Sequence, residues 1–353
     1  MKQPKSIKID NKIIGYGQPV FVIAEAGVNH NGQLDLALKL IDAAVDAGAD
    51  AVKFQTFRVE QATTRHTALA GYQRENIGTE NNLFEEAKGW ELKEGWYPQL
   101  IKRAKDRRIV FFATPHGGFE SVDFLESQKV PLYKFGSGEI TNLPIFNYTA
   151  KLGKPIIFGT GTATMEEVRV AIKAIKKAGN NKIIALHCTT DYPPLLSDVN
   201  LLAMQTMMRE LDVLVGYSDH TIGGQVPVMA ATLGACVIEK HLTLNKSMKG
   251  PDHKASATPE EFKILVERIR DVEVILGSSK KGPVKSELKF IPVIRKSIVA
   301  KIDIKKGDRL TPENIAIKKP GTGMLPKYWN KIIGRTAKRN IPEDTLISKS
   351  DFN

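Results

Sequence analysis

The segment LVGYSDHTIGGQVPVMAATLGACVIEKHLTLNKSMKGPDHKAS, Leu214 to Ser256, decides the fold. His220 follows the apolar run Val213 to Tyr217, and His241 follows the apolar run Ala235 to Ile238. Between them, Gly223 to Leu233 has helical spacing, so the segment is a strand–helix–strand unit. A right-handed crossover makes such strands parallel, often as neighbours about 4.8 Å apart, which puts both histidines at the same C-terminal edge. Two imidazoles there can hold one divalent metal, or they are two unrelated histidines at loop starts. Ser218 and Asp219 precede His220, and Glu239 shares a face with His241, two residues on. Asp252 and His253 lie in the loop before the last helical pattern; Asp252 either reaches a hydroxylated substrate or caps a turn, and His253 has no assigned role.

Outward from this unit, the same alternation fills the chain from Val20 onward. FVIAE (21–25), AVKFQ (51–55), IVFFAT (109–114), LYKF (132–135), PIIFG (155–159), KIIALHC (182–188), DVLVGY (212–217) and ACVIEKH (235–241) read as eight strands. Helical patterns such as LDLALKLIDAAVDAG and MEEVRVAIKAIKKAG separate them, closed by Gly48 and Gly179. Eight such units over about 260 residues predict an α/β fold, a TIM (β/α)8 barrel rather than an open sheet. Thr56 to Leu92 is the one irregular insert, and its Tyr72, Arg74 and Asn76 form a lid or a plain surface loop. After Gly277 the pattern changes. Residues 1–277 make the barrel, 278–292 read as a Lys-rich linker, and 293–353 as a small β-rich domain.

The 353 residues carry a formal net charge of +12, but it is not spread evenly. From Ser278 to Asn353 there are 18 Lys and Arg against 7 Asp and Glu, so +11 of it resides there. No nucleic-acid motif accompanies that excess, which suits a cationic cover over a site for anionic small molecules. Cys188 and Cys236 show no paired spacing, as expected of buried thiols in a reducing compartment. With no apolar leader and no run near the ~20 residues of a membrane span, the expectation is a cytoplasmic, soluble protein without nucleic-acid or membrane partners.

In a barrel, function belongs at the strand C-termini. Glu25 ends the first strand as a functional carboxylate or a cap partner. Lys53 and Gln55 share a face of the second strand. A lysine inside a barrel needs a partner, either an anionic ligand or an internal salt bridge to Glu25 or Glu239. In YKFGSGE, Lys134 and Ser137 supply a charge and a hydroxyl for phosphate, while Glu139 can accept a sugar hydroxyl or a proton. Gly159-Thr160-Gly161 precedes a helix capped by Thr162 or Thr164. The sixth strand places Thr190 and Tyr192 at the rim, with His187 a hydrogen-bonded core residue.

Together, IAEAGVNHNG, VKFQT, YKFGSGE, LHCTTDYP, GYSDHT, GACVIEKH and GPDHKAS, in this order, resemble the sialic acid synthase family with its antifreeze-like (SAF) C-terminal domain. The forms EAGVNHNG, SGEITNLP, CTTDYP and GPDHKAS resemble bacterial legionaminic acid synthases more than neuraminic acid synthases. The resemblance implies metal-assisted condensation of phosphoenolpyruvate with an open-chain N-acetylated aminohexose, giving a nine-carbon 2-keto acid and phosphate. It implies that His220 and His241 hold the metal, most often Mn2+, with Mg2+ or Co2+ as alternatives, and that Glu25 orients or deprotonates the attacking water. It assigns Lys53, Lys134, Ser137, Thr190 and Ser218 to phosphoenolpyruvate, and Gln55, Glu139, Tyr192, Asp252 and Lys319 to the sugar. It further implies a domain-swapped homodimer. Three positions depart from the family pattern: Gly159 where a Ser is common, Thr190 where Asn or Ser is common, and Lys319 in place of an Arg, which loses the bidentate fork. The rival reading is a metal-dependent aldolase or hydrolase on the same barrel, and a second rival is a non-enzymatic binder of nucleic acid or ice through residues 278–353.

Overall fold

The computed structural model describes residues 6–353 and divides the chain into two compact units, Met1–Gly277 and Ser278–Asn353. In the first unit a hairpin of β1 (Ile7–Ile9) and β2 (Lys12–Ile14) precedes eight parallel strands. These are β3 (Phe21–Gly27), β4 (Ala51–Thr56), β5 (Val110–Pro115), β6 (Tyr133–Phe135), β7 (Ile156–Gly159), β8 (Ile183–His187), β9 (Leu214–Asp219) and β10 (Val237–His241). All eight expected strands form. Their order, β5-β4-β3-β10-β9-β8-β7-β6, brings β10 back beside β3 as a barrel requires. β5 and β6 come together without a hydrogen-bonded ladder among the described residues.

The strands are short, almost wholly buried and rich in Ile, Val and Phe, because helices cover their outer face. Ile7, Ile9 and Ile14 of the hairpin join the same core. Helices follow the expected signals. Leu34–Asp46 and Met165–Lys177 stop just short of Gly48 and Gly179, and Thr164, not Thr162, caps the second of these with Glu167 reaching back. Thr258 caps Pro259–Ile275 in the same reciprocal way with Glu261.

The insert after β4 is helical: Val59–Ala62, Gly71–Ile77 and Leu83–Ala87, followed by a 3-10 turn at Lys88–Trp90. Val28, Phe57, Val59, Phe84 and Ala87 pack with Leu83 and Trp90 into an apolar cluster separate from the barrel core. No helix among the described residues is long and apolar enough to cross a membrane.

The second unit has its own core, from Ile298 to Ile347, around the antiparallel pair β11 (Ser297–Ala300) and β12 (Ile315–Lys318). The stretch read as an aperiodic linker carries helical turns, Lys285–Phe290 and Ile291–Ile294, and belongs to this unit.

Candidate active site

Strand register assembles the site. His241, Glu25 and Lys53 are paired across β10, β3 and β4, and Ser218 is paired with Glu239 across β9 and β10. Side chains at paired positions of parallel strands share a face, so these groups converge at the C-terminal mouth. One cavity of about 400 Å³ is lined by twelve of the expected site residues: Glu25, Lys53, Gln55, Lys134, Ser137, Glu139, Thr190, Tyr192, Ser218, His220, His241 and Asp252. Lys319 is not among them; it lies in the second unit and is exposed. Arg74 is exposed on the insert and does not line the cavity.

Four buried charges form the floor. Lys53 Nζ lies 2.9 Å from Glu25 and 3.7 Å from Glu239, and Lys134 Nζ lies 3.2 Å from Glu239. The internal salt bridge expected for Lys53 is present with both Glu25 and Glu239, and Glu239 is shared with Lys134. Ser218 Oγ donates to Glu239 at 3.1 Å, Gln55 Nε2 donates to Glu25 at 3.2 Å, and Lys53 also donates to Thr114 Oγ1 at 3.1 Å. Burial raises the Glu25 pKa above the usual carboxylate range, and the charge of Glu239 adds to this against the pull of Lys53. Burial would raise Glu239 too, but Lys134 and Lys53 outweigh it and hold it at about 2. Two carboxylates whose surroundings push them apart are suited to different roles, Glu239 as fixed charge and Glu25 as proton acceptor. Burial, with Glu25 nearby, lifts Asp252 to about 7.

The histidines meet with ring centroids 5.6 Å apart. Burial keeps both neutral, His220 at about 4 and His241 well below its ordinary value. His220 Nδ1 lies 2.6 Å from Thr189 O, which makes it the N–H donor and leaves the Nε2 lone pair for a ligand. His241 Nδ1 is buried without a hydrogen-bond partner, 3.9 Å from Asp252. Neutral rings with lone pairs of this kind fit a divalent ion. No group of three or more His, Cys, Asp or Glu at metal spacing exists among the described residues, so two imidazoles with water or substrate oxygens would make up the ligand set.

Tyr192 stacks on His220 at 3.9 Å between ring centroids, and Tyr72 of the insert stacks on Tyr192 at 4.9 Å. Asn76 Nδ2 donates to Pro251 O at 2.8 Å, which ties the insert to the Asp252 loop. The insert is thus a cover over the mouth. Opposite, Gly161 N donates to Ser137 Oγ at 3.0 Å and to Cys188 Sγ at 3.2 Å. A Cβ on Gly159 would stand 2.8 Å from Ser137 Oγ, so the hydroxyl of Ser137 fills the space that a serine at 159 would need.

Asn29 and Asn31 tie the first loop to the last, through Leu242 O and Ser256 Oγ at 2.9 Å and through Lys249 O at 3.0 Å. His187 Nε2 bonds Val199 O at 2.8 Å, as expected of a core residue, and His253 is held by Thr243 Oγ1 at 2.7 Å and Asn31 Oδ1 at 3.1 Å. Glu239, expected as a salt-bridge partner of Lys53, lines the cavity together with Thr114, His116 and Cys188, for which the sequence alone suggested no role. The signal of Thr114, His116 and Cys188 was position alone, since each stands at or just past the C-terminal end of a strand.

A model of the NeuB family matches residues 40–281, and a SAF domain model matches residues 295–353. The chain is 43% identical over 339 residues to the N,N'-diacetyllegionaminic acid synthase of Legionella pneumophila, covering 94% of each chain. It is 44% identical over 328 residues to the enzyme of the same name from Campylobacter jejuni, covering 92% of this chain and 98% of that one. Among solved structures, N-acetylneuraminic acid synthetase from Leptospira borgpetersenii, in complex with citrate, matches with a TM-score of 0.72 at 34% identity, over 82% of this chain and 97% of the other. With likeness running through both units and the site residues gathered at one barrel mouth, the chain belongs to the NeuB family, its barrel followed by a SAF domain.

Proposed function

We propose that this protein condenses phosphoenolpyruvate with open-chain 2,4-diacetamido-2,4,6-trideoxymannose and water, giving N,N'-diacetyllegionaminic acid and phosphate, with N-acetylmannosamine a poorer acceptor. Relatives named for legionaminic, pseudaminic and sialic acid synthesis make it a sugar-acid synthase. The observation that carries the reading is the meeting, in one cavity, of two lysine ammoniums, two neutral imidazoles and the proton-accepting Glu25.

Lys53 and Lys134, with Ser137, Thr190 and Ser218, bind the phosphate and carboxylate of phosphoenolpyruvate, displacing the carboxylates that now pair with them. Gln55, Glu139, Tyr192 and Asp252 meet the sugar. A divalent ion, Mn2+ in the first instance, held by His220 and His241, would supply Lewis-acid polarisation of the aldehyde. Glu25 takes a proton from the water that adds to C2. C3 bonds to the aldehyde carbon, whose oxygen gains a proton; the C2–O bond to phosphate then breaks as the new C2 hydroxyl loses its proton and becomes the keto group, the proton leaving with phosphate. In the homodimer that we propose, Lys319 of the SAF domain reaches the sugar in the partner's barrel.

The finer choice of sugar is supported by the wall of the cavity that Val28, Phe57, Val59, Leu83 and Trp90 make. Such a wall suits a methyl group. Burying one methyl stabilises by about 0.8 kcal/mol, while a hydroxyl left there without a partner costs about 1–3 kcal/mol. Together, about 1.8–3.8 kcal/mol, these favour the 6-deoxy sugar by roughly 20- to 600-fold in kcat/KM. The aldolase or hydrolase reading has no use for a second anion clamp, and a thermal melt with and without phosphoenolpyruvate separates it from the synthase.

The test is phosphate release with phosphoenolpyruvate, Mn2+ and a panel of 2-acetamido and 2,4-diacetamido hexoses. Release is expected only with all three components, is abolished by chelation, and is fastest with the diacetamido sugar. No release with any sugar of the panel would overturn the proposal.

A further inference from the structure

We propose that His116 is a further substrate-contacting residue, a neutral hydrogen-bond donor set between the two anion-binding lysines and directed at phosphoenolpyruvate. This rests on the reading that the cavity takes phosphoenolpyruvate.

The barrel order places His116 for this. Lys53 is on β4 and Lys134 on β6, and His116 follows β5, which lies between them. Its backbone N–H donates to Thr56 O at 2.9 Å and so carries the β4–β5 pairing one residue past Pro115. Strand alternation therefore holds through residue 116, and Phe112, Thr114 and His116 share the inward face. Thr114 proves the direction, because its hydroxyl accepts from Lys53 Nζ at 3.1 Å.

The neighbouring turn leaves room for the ring. A Cβ on Gly136 would stand 3.3 Å from His116 Cε1 and 3.9 Å from Nε2, so the imidazole edge lies over the glycine between Lys134 and Ser137. His116 lines the cavity, and neither ring nitrogen has a hydrogen-bond partner among the described residues. By contrast, Lys53, Lys134, Glu25, Glu239, Ser218 and Ser137 each have a paired neighbour in the cavity.

Neutrality has a reason. The two ammoniums are matched by Glu25 and Glu239, and a third cation here would be buried without a carboxylate of its own. Burial, with the adjacent charges of Lys53 and Lys134, lowers the His116 pKa to about 3, so the ring enters the site uncharged. A neutral imidazole still offers one N–H, and a donor aimed at an anionic oxygen makes a charge-assisted hydrogen bond. His116 thus adds directional recognition to the clamp without adding charge.

The test compares His116→Phe, which keeps an aromatic ring and loses the donor, with His116→Gln, which restores an N–H. Steady-state kinetics with each substrate varied should show KM for phosphoenolpyruvate rising about tenfold in His116→Phe and KM for the sugar unchanged within about twofold, with His116→Gln recovering most of the loss. Titration calorimetry with phosphoenolpyruvate alone should give the same ranking of Kd, and thermal melts confirm that each variant is folded. Equal phosphoenolpyruvate affinity in His116→Phe and wild type overturns the proposal, as does His116→Gln binding as weakly as His116→Phe, or both KM values rising together. If wild type itself neither binds phosphoenolpyruvate nor releases phosphate from it, the functional reading falls and takes this inference with it.

Discussion

Lys240 and Asp219 lie on the faces of β10 and β9 that point away from the cavity, exposed by only 2% and 1%, with Nζ and Oδ2 2.5 Å apart. Lys240 also donates to Thr221 O at 2.7 Å, and Asp219 Oδ1 accepts from Thr221 Oγ1 at 2.9 Å and Tyr217 OH at 3.2 Å. The residues on both sides of His220 are therefore gripped by the neighbour of His241. Lys240→Met leaves Asp219 charged and buried, and should cost about 3–5 kcal/mol in urea unfolding. Adding Asp219→Leu should recover much of that stability, since an apolar pair can replace a buried ion pair. Phosphate release should stay low in the double variant, because the grip on His220 is not restored; full recovery of activity would reduce the pair to a core contact. Glu25 gives a sharper prediction. Glu25→Gln keeps the bond to Gln55 within reach but cannot take a proton, so kcat should fall by about 10²- to 10⁴-fold with substrate KM values little changed.

The loops after β3 and β10 are sewn together by Asn29, Asn31 and His253, and the insert adds Asn76. Burial lowers His30 and His253 from 6.5 to about 4 in the fold. Below pH 6.5 the unfolded chain takes protons that the folded chain refuses, so this contribution is complete above that value and is lost as pH falls toward 4. Melting temperature should drop across this window, and His253→Gln should flatten part of the slope; parallel profiles for variant and wild type would count against it. The strands of the barrel were legible because short β-rich apolar runs recur regularly between segments of helical spacing. β9 nevertheless runs to Asp219, two residues past the apolar run, because Glu239 and Lys240 on the next strand satisfy Ser218 and Asp219 inside the ladder. β1 and β2 were not legible, being three residues each. The cover was half legible: the insert with Tyr72 and Asn76 reads as a lid or a plain surface loop, and the choice rests on stacking of Tyr72 on Tyr192, which joins segments far apart in sequence and which no local pattern encodes. His116 lies past the strand expected to end at Thr114, whereas its backbone carries the pairing two residues further.

At the scale of the molecule, twelve of the thirteen expected site residues belong to one unit and Lys319 to the other, while most of the net charge sits with Lys319. The first unit also exposes Leu195, Leu196, Leu202 and Ile222 by 68%, 72%, 67% and 66%. If the SAF domain of one chain serves the barrel of its partner, each site is built from two chains, and subunit mixing can read that directly. A Glu25→Gln chain has a dead barrel and a sound SAF domain; a Lys319→Ala chain has the reverse. In a swapped heterodimer one site collects both defects and the other collects neither. Random reassortment of the two inactive proteins, after mild denaturation and refolding together, should then restore about a quarter of wild-type activity. Within a chain that completes its own site, every site carries one defect and mixing restores nothing. Activity returning only on mixing would therefore place Lys319 over the partner's sugar, whereas persistent inactivity, with a dimer seen by sedimentation, would leave the dimer and remove the exchange.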